Sequence, residues 1–120
     1  MLNQVCVLTV KVDDLDASLE FYTKVLDFSV SKKYSDTIIS LEHNGLPFIL
    51  EKADTVGQPS RSNTVLLGIQ STNIHDGFER LKSKQVNVLF DEPKPCPPGY
   101  FFVIEDPTGK QIEIVEFVEE

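Results

Sequence analysis

The chain has 120 residues, of which 41% are hydrophobic and 25% charged, and its formal net charge is −8 at pH 7. This length suits one small domain with its own core, and the acidic balance argues against nucleic acid, whose phosphates require clustered Lys and Arg. No apolar run approaches the roughly 20 residues that cross a bilayer, and MLNQV does not resemble a signal peptide, so we expect no membrane partner. Cys6 and Cys96 lack metal or redox spacing, which favours a reduced, cytoplasmic setting.

The first module is predicted over residues 3–54 as one strand, one helix and three further strands. Residues 5–12 alternate in polarity, with a core face that consists of Cys6, Leu8, Val10 and Val12. Asp14 is the expected N-cap of a helix that buries one apolar stripe, composed of Leu15, Leu19, Tyr22, Val25 and Leu26. Strands are predicted at 28–34, 37–42 and 46–52, the last two joined by a turn at His43-Asn44-Gly45.

Residues 55–63 are polar and rich in turn formers, which predicts a linker, and the second module is predicted over residues 64–120. Its first strand, 64–70, should bury Val65, Leu67 and Ile69 and present Thr64, Leu66 and Gly68 on the opposite face. Asn73 should cap a helix that buries Ile74, Phe78 and Leu81. Strands follow at 86–90, 100–105 and 111–118, and the proline-rich stretch 92–99 is predicted as a stiff loop and candidate lid.

The two modules therefore repeat one plan, β-α-β-β-β, at an offset of 57 residues that matches Val12 with Ile69. We predict an α+β fold in which the two modules form a curved, cup-shaped, mostly antiparallel eight-stranded sheet with both helices on its outer face. By strand alternation, Phe102, Ile104, Ile112 and Ile114 pack beneath the helices, and the opposite face lines the cup.

Two segments resemble a known family: VDDLDASLEFYTKVLDF near the N-terminus and DPTGKQIEIVEF near the C-terminus. They are similar to the vicinal oxygen chelate superfamily, which includes glyoxalase I, extradiol dioxygenases, fosfomycin-resistance enzymes and bleomycin-resistance proteins. The resemblance covers nearly the whole chain. It implies the paired βαβββ fold, a ligand site inside the cup and a homodimer, but it does not choose among the chemistries that this scaffold carries.

Enzymes of this superfamily commonly hold a divalent metal with one ligand from the first and one from the last strand of each module. The resemblance carries these positions onto Val7, Ile49, Thr64 and Glu113. Only Glu113 is a good ligand, so we expect no metal cofactor. Glu51, two residues from Ile49 and on the same face, offers the one alternative, a weak two-carboxylate site with Glu113. His43 and His75 are expected at the surface.

The candidate ligand-binding residues are those predicted to line the cup. They are Glu113, Glu51, Val7, Thr9, Ile49, Thr64, Leu66, Phe101, Val103 and Gln111. Among them, Glu113 stands out as a carboxylate in a largely apolar cup, where it either binds a cationic or hydrogen-bonding group of a ligand or is simply solvated. Lys11 and Gln111 are its possible partners within the chain.

Three functions remain open, and catalytic residues are not assigned. The first is a metal-free binding protein of the bleomycin-resistance type, an antibiotic-resistance function in which a cationic or aromatic small molecule is sequestered in the cup. The second is a metal-dependent glyoxalase-like lyase, isomerase or thiol transferase, for which a divalent metal is the cofactor. The third is a non-catalytic interaction domain whose cup is filled with side chains.

Overall fold

The computed structural model describes residues 2–53 and 65–118. The chain divides into two compact units, Met1–Gln58 and Pro59–Glu120. The predicted linker, 55–63, and the predicted site residue Thr64 lie outside the described residues. Within the described ranges, neither helix has the length and apolar character required to span a membrane.

The first unit has a four-stranded sheet with one helix. Its elements are β1 (Leu8–Val12), α1 (Leu15–Glu20) continued by a π-helical segment (Phe21–Val25), β2 (Val30–Lys33), β3 (Ile38–Leu41) and β4 (Phe48–Lys52). The strand order is β1-β4-β3-β2, in which β1 and β4 are parallel and the other neighbours are antiparallel. The β2–β3 ladder shifts register between Val30 and Lys32.

The helix begins as the sequence predicts. The Asp14 side chain accepts a hydrogen bond from the Ala17 backbone N–H at 3.0 Å, which satisfies one of the donors left free in the first turn. The helix departs from regular α-helical geometry near its end, where the Leu26 N–H donates to the Phe21 carbonyl, five residues back. This wider turn allows the adjacent side chains of Phe21 and Tyr22 both to be buried, which a regular helical stripe does not predict.

The core of the first unit lies between its sheet and α1. Val12, Leu41, Phe48 and Leu50 are almost fully buried, and the Tyr22 ring packs edge-on against Phe48. The turn between β3 and β4 is confirmed: Asn44 and Gly45 both have positive φ angles, and the Leu46 N–H donates to the His43 carbonyl.

The second unit has a five-stranded sheet with one helix. Its elements are β5 (Leu67–Gln70), α2 (Ile74–Ser83), β6 (Asn87–Val88), β7 (Lys94–Cys96), β8 (Gly99–Glu105) and β9 (Gln111–Phe117). The order is β5-β9-β8-β6, with β7 also paired to β8. The pair β5–β9 is parallel and the others are antiparallel.

Helix α2 is anchored at both ends. Asn73 accepts from the Asp76 N–H, and a Glu116 side-chain oxygen on β9 accepts from the Ile74 N–H at 2.7 Å. At the other end, the Val86 N–H donates to the Leu81 carbonyl and the Gln85 N–H to the Lys82 carbonyl, which is the Schellman pattern of hydrogen bonds. The predicted buried residues Ile74, Phe78 and Leu81 are confirmed.

The proline-rich stretch contains a strand that the sequence does not predict. Residues Lys94–Cys96 pair antiparallel with Phe101, Tyr100 and Gly99, so this stretch is part of the sheet and not only a loop. Gly99 is required at the turn into β8, because a Cβ atom there would lie 2.1 Å from the Glu116 carbonyl oxygen. The α+β prediction of two βαβββ modules is confirmed, with one strand more than expected.

Both modules begin their first strand later than predicted. Cys6 and Val65, both expected on core faces, precede β1 and β5 and are exposed. Their alternation continues the strand pattern, but both residues lie before the paired segments of their strands, which begin at Leu8 and Leu67, and burial follows the ladder. The predicted packing of Phe102, Ile104, Ile112 and Ile114 is confirmed, since all four are buried and Phe102 contacts Phe78 of α2 edge-on.

Candidate functional site

Glu113 lies in the middle of the second sheet, on the face opposite α2. In the strand registers, Gly68 of β5 is on one side of Glu113 and Val103 of β8 is on the other. Side chains directly opposite each other in neighbouring strands point to the same face, so Phe101 and Val115, a second matched pair, share it. We call this surface the Glu113 face; its residues are Gly68, Phe101, Val103, Glu113 and Val115.

The Glu113 carboxylate is half-buried. Among the residues that the structure describes, none forms a hydrogen bond or ion pair with it. Of its two expected partners, Lys11 is paired with Glu51 instead, and Gln111 is exposed and lies opposite Glu105. A carboxylate removed from water without a partner is costly, so this group accepts hydrogen bonds from water or from a ligand.

An aromatic pair lies at one end of the Glu113 face. The rings of Phe90 and Phe101 meet edge to face with their centroids 5.1 Å apart. The Lys94 ammonium lies 4.7 Å from the centroid of Phe90, which is cation–π geometry. This end of the face therefore offers apolar surface, and the Phe90 ring already has the Lys94 ammonium over one of its faces.

The corresponding face of the first sheet is less suited to a ligand. Ile49 of β4 lies between Thr9 of β1 and Ser40 of β3, and Thr9 is exposed. Glu51 forms an ion pair with Lys11, with Nζ and Oε1 3.1 Å apart. Its carboxylate already has a cationic partner, which weakens its expected role as a second metal ligand.

The two modules correspond at an offset that differs from the predicted one. The helix N-caps are Asp14 and Asn73, which gives 73 − 14 = 59 and not 57. The first strands follow the same offset, because it matches Thr9 with Gly68 (68 − 9 = 59). Thr9 pairs with Ile49, and Gly68 pairs with Glu113. The last strands therefore keep the predicted offset of 64 (113 − 49 = 64). Ile49 is therefore confirmed as the counterpart of Glu113, but the counterpart of Val7 is Leu66 and not Thr64.

Residues 3–114 match the family described as the Glyoxalase/Bleomycin resistance protein/Dioxygenase superfamily. The chain belongs to this superfamily. Among proteins with curated descriptions, none matches the sequence.

Solved structures of this superfamily share the fold across nearly the whole chain. A glyoxalase/bleomycin resistance protein/dioxygenase from Nocardioides is 23% identical, with 99% of this chain and 86% of that chain covered and a TM-score of 0.76. A possible glyoxalase from Bacillus cereus is 26% identical over 94% and 98% of the two chains, with a TM-score of 0.73. Lactoylglutathione lyase from Agrobacterium tumefaciens is 17% identical over 95% and 93%, with a TM-score of 0.70.

The positions that the superfamily resemblance assigns to metal ligands do not fit a divalent metal in this chain. After the register correction they are Val7, Ile49, Leu66 and Glu113, and the first three side chains have no donor atom. Val7 and Leu66 are 43% and 53% exposed and precede their strands. Within residues 2–53 and 65–118, no group of three or more His, Cys, Asp and Glu side chains is arranged to hold a metal ion.

Three further reactive side chains are His75, His43 and Cys96. His75 is exposed as expected, but the prediction for His43 is wrong: it is half-buried. Its ring contacts Phe28 and Phe48, and its Nδ1 atom is buried without a hydrogen bond to any described residue. Cys96 is half-buried in β7.

Sequence reasoning placed Gly68 on the Glu113 face but did not count it among the site residues. A glycine inside a strand is the signal that would have identified it, because such glycines often mark a close approach of a ligand or another backbone.

Proposed function

We propose that this chain is a metal-free small-molecule binding protein of the bleomycin-resistance type, which sequesters a cationic or aromatic ligand on the Glu113 face. The observation that carries the proposal is the Glu113 carboxylate, which has no protein partner among the described residues. It shares its face with Val103, Val115 and the Phe90–Phe101 aromatic pair. Apolar side chains around a small number of well-placed polar groups are the usual composition of a small-molecule site.

The chemistry of the superfamily's metal positions supports a metal-free function. A divalent ion requires several oxygen, nitrogen or sulfur donors, and Val7, Ile49 and Leu66 supply none. The net charge of −8 adds a long-range attraction for cations. The free carboxylate is therefore better suited to a ligand's cation than to a metal.

The test is thermal unfolding with a panel of cationic aromatic compounds and their neutral analogues. A ligand at about 100 times its dissociation constant stabilises the folded state by about 2.7 kcal/mol. We expect cationic members to stabilise the protein, Glu113→Gln to abolish the effect, and Glu79→Gln to preserve it. Glu79 is the matched control because it is an exposed carboxylate on α2.

Titration with Ni²⁺, Mn²⁺, Zn²⁺ and Fe²⁺ distinguishes the alternatives. A stoichiometric metal that is lost in Glu113→Ala would contradict the proposal and favour a metal-dependent lyase, isomerase or thiol transferase. Stabilisation by no compound and no metal would favour a non-catalytic interaction domain.

The proposal includes a homodimer in the cytoplasm. The two cysteines are free thiols, which supports a reducing compartment. Light scattering tests the dimer by comparing the mass in solution with the chain mass of 13.5 kDa.

A further inference from the structure

Gly68 is the neighbour of Glu113 on β5, and its lack of a side chain is not explained by the fold. Its backbone is not among the positive-φ glycines, so other residues fit its conformation. A Cβ atom built at Gly68 meets no atom of the described residues within 4 Å. Neither backbone conformation nor packing requires glycine here.

A glycine inside a strand is also unfavourable, because it loses more conformational entropy on folding and has no side chain to pack. The effect of Gly68 is on the space around the neighbouring strand. The neighbouring strand lies only about 4.8 Å away, so the absent side chain leaves space directly beside the Glu113 side chain.

On the β8 side of Glu113, a buried side chain fills the space. Val103, its partner on β8, is only 9% exposed. Among the described residues, the open space next to the Glu113 carboxylate is therefore on the Gly68 side. A carboxylate accepts several hydrogen bonds, and a primary ammonium supplies three donors with a positive charge.

The aromatic surface lies within reach of this space. Phe101 is opposite Val115, two residues along β9 from Glu113, and is thus the diagonal neighbour of Glu113. Diagonal neighbours across an antiparallel pair are about 7–8 Å apart. Gly68 and Phe101 lie on opposite sides of β9, about 10 Å apart across two strand spacings, so an alkyl chain that passes over β9 joins an ammonium beside Gly68 to an aromatic ring near Phe101.

We propose that Gly68 holds open the space beside Glu113 in which the primary ammonium group of an arylalkylamine binds. This inference rests on the proposed function and narrows its ligand class. A quaternary ammonium is excluded from the class because it has no N–H to donate to Glu113.

The experiment measures binding of phenethylamine by calorimetry, with its trimethylammonium analogue as the matched probe. We expect the wild type to bind phenethylamine more tightly than the analogue. We expect Gly68→Val to lower the affinity for phenethylamine at least tenfold, which corresponds to about 1.4 kcal/mol. Gln70→Val is the control, because Gln70 lies on the same strand opposite Val115 and the change places the same valine side chain one row away without adding bulk.

Folding is checked independently. Gly68→Val should unfold at a temperature equal to or above that of the wild type, because valine favours strands and glycine does not. A lost binding signal in a stable variant is thus a local effect. Gly68→Ala provides a smaller side chain at the same position and should weaken binding less.

The outcomes separate the two proposals. If the wild type binds phenethylamine through Glu113 but Gly68→Val binds equally well, the role of Gly68 is wrong and the proposed function stands. If the trimethyl analogue binds as tightly, the primary-amine class is wrong. If neither compound nor any other cationic aromatic binds, both proposals are wrong.

Discussion

Gln85 ends helix α2 in a conformation that favours glycine. Its φ angle is 63°, and it occupies the position after the cap in a Schellman motif, where its N–H bonds to the Lys82 carbonyl. A side chain in the left-handed region costs roughly 1–2 kcal/mol because Cβ approaches a carbonyl oxygen. The hydrogen bonds of the motif hold the residue there nonetheless.

We predict that Gln85→Gly stabilises the protein by about 1 kcal/mol, the steric relief less the extra unfolded-state entropy of glycine. Urea unfolding measures the change as a higher midpoint at constant slope. Gln85→Ala retains the Cβ atom and should give no such gain. An equal gain in both variants would mean that the glutamine side chain, and not the φ angle, is responsible.

Gly99 controls the junction of three strands in the second sheet. It pairs with Cys96 of β7 and with Phe117 of β9, and a Cβ atom there would lie 2.1 Å from the Glu116 carbonyl oxygen and 3.0 Å from the Val118 nitrogen. Both are backbone atoms, so the clash is relieved only if β9 moves.

We predict that Gly99→Ala destabilises the protein by about 1–3 kcal/mol, the usual cost of overpacking. Gly68→Ala is the matched control, because it adds the same methyl group to the same sheet in open space. Chemical denaturation of both variants measures the difference. Equal stabilities would show that the strands at Gly99 adapt without cost.

The elements that the sequence predicts well are those with local chemical signals. Asp14 and Asn73 are helix caps and Asn44-Gly45 is a turn, and each is specified within four residues. The starts of β1 and β5 depend on ladder partners elsewhere in the chain, which alternation does not reveal. Strand β7 is missed because prolines lack the N–H of a ladder, although Lys94 and Cys96 pair normally around Pro95.

The error in the repeat offset has a simple physical origin. A strand pattern repeats every two residues, so offsets of 57 and 59 assign the same residues to the same faces. The predicted face of Phe101, Val103 and Glu113 is therefore correct, while the matching of Val7 with Thr64 is wrong. The spacing of the two N-caps was the sequence signal that distinguishes these offsets.

The charge of the whole molecule should influence the proposed binding. With a net charge of −8, the protein attracts cations from a distance, and salt screens this attraction. We predict that affinity for phenethylamine falls several-fold as ionic strength approaches about 1 M, where the Debye length is about 3 Å. Calorimetric titration at increasing salt measures the dependence.

Phenethyl alcohol, which is neutral, controls for salt effects unrelated to charge. Glu79→Gln removes one remote charge and should change the salt dependence only slightly. An affinity that is independent of salt would show that the ligand's cation does not sense the field of the protein.

Strand β2 forms one open edge of the first sheet, and its composition bears on aggregation. All four of its residues are exposed, it carries Lys32 and Lys33, and its ladder with β3 is irregular after Val30. Lysines and bulges at an edge oppose the addition of a further strand. Copies of this chain at high concentration are therefore discouraged from growing into a continuous intermolecular sheet through β2, the kind of stacking from which fibrils form.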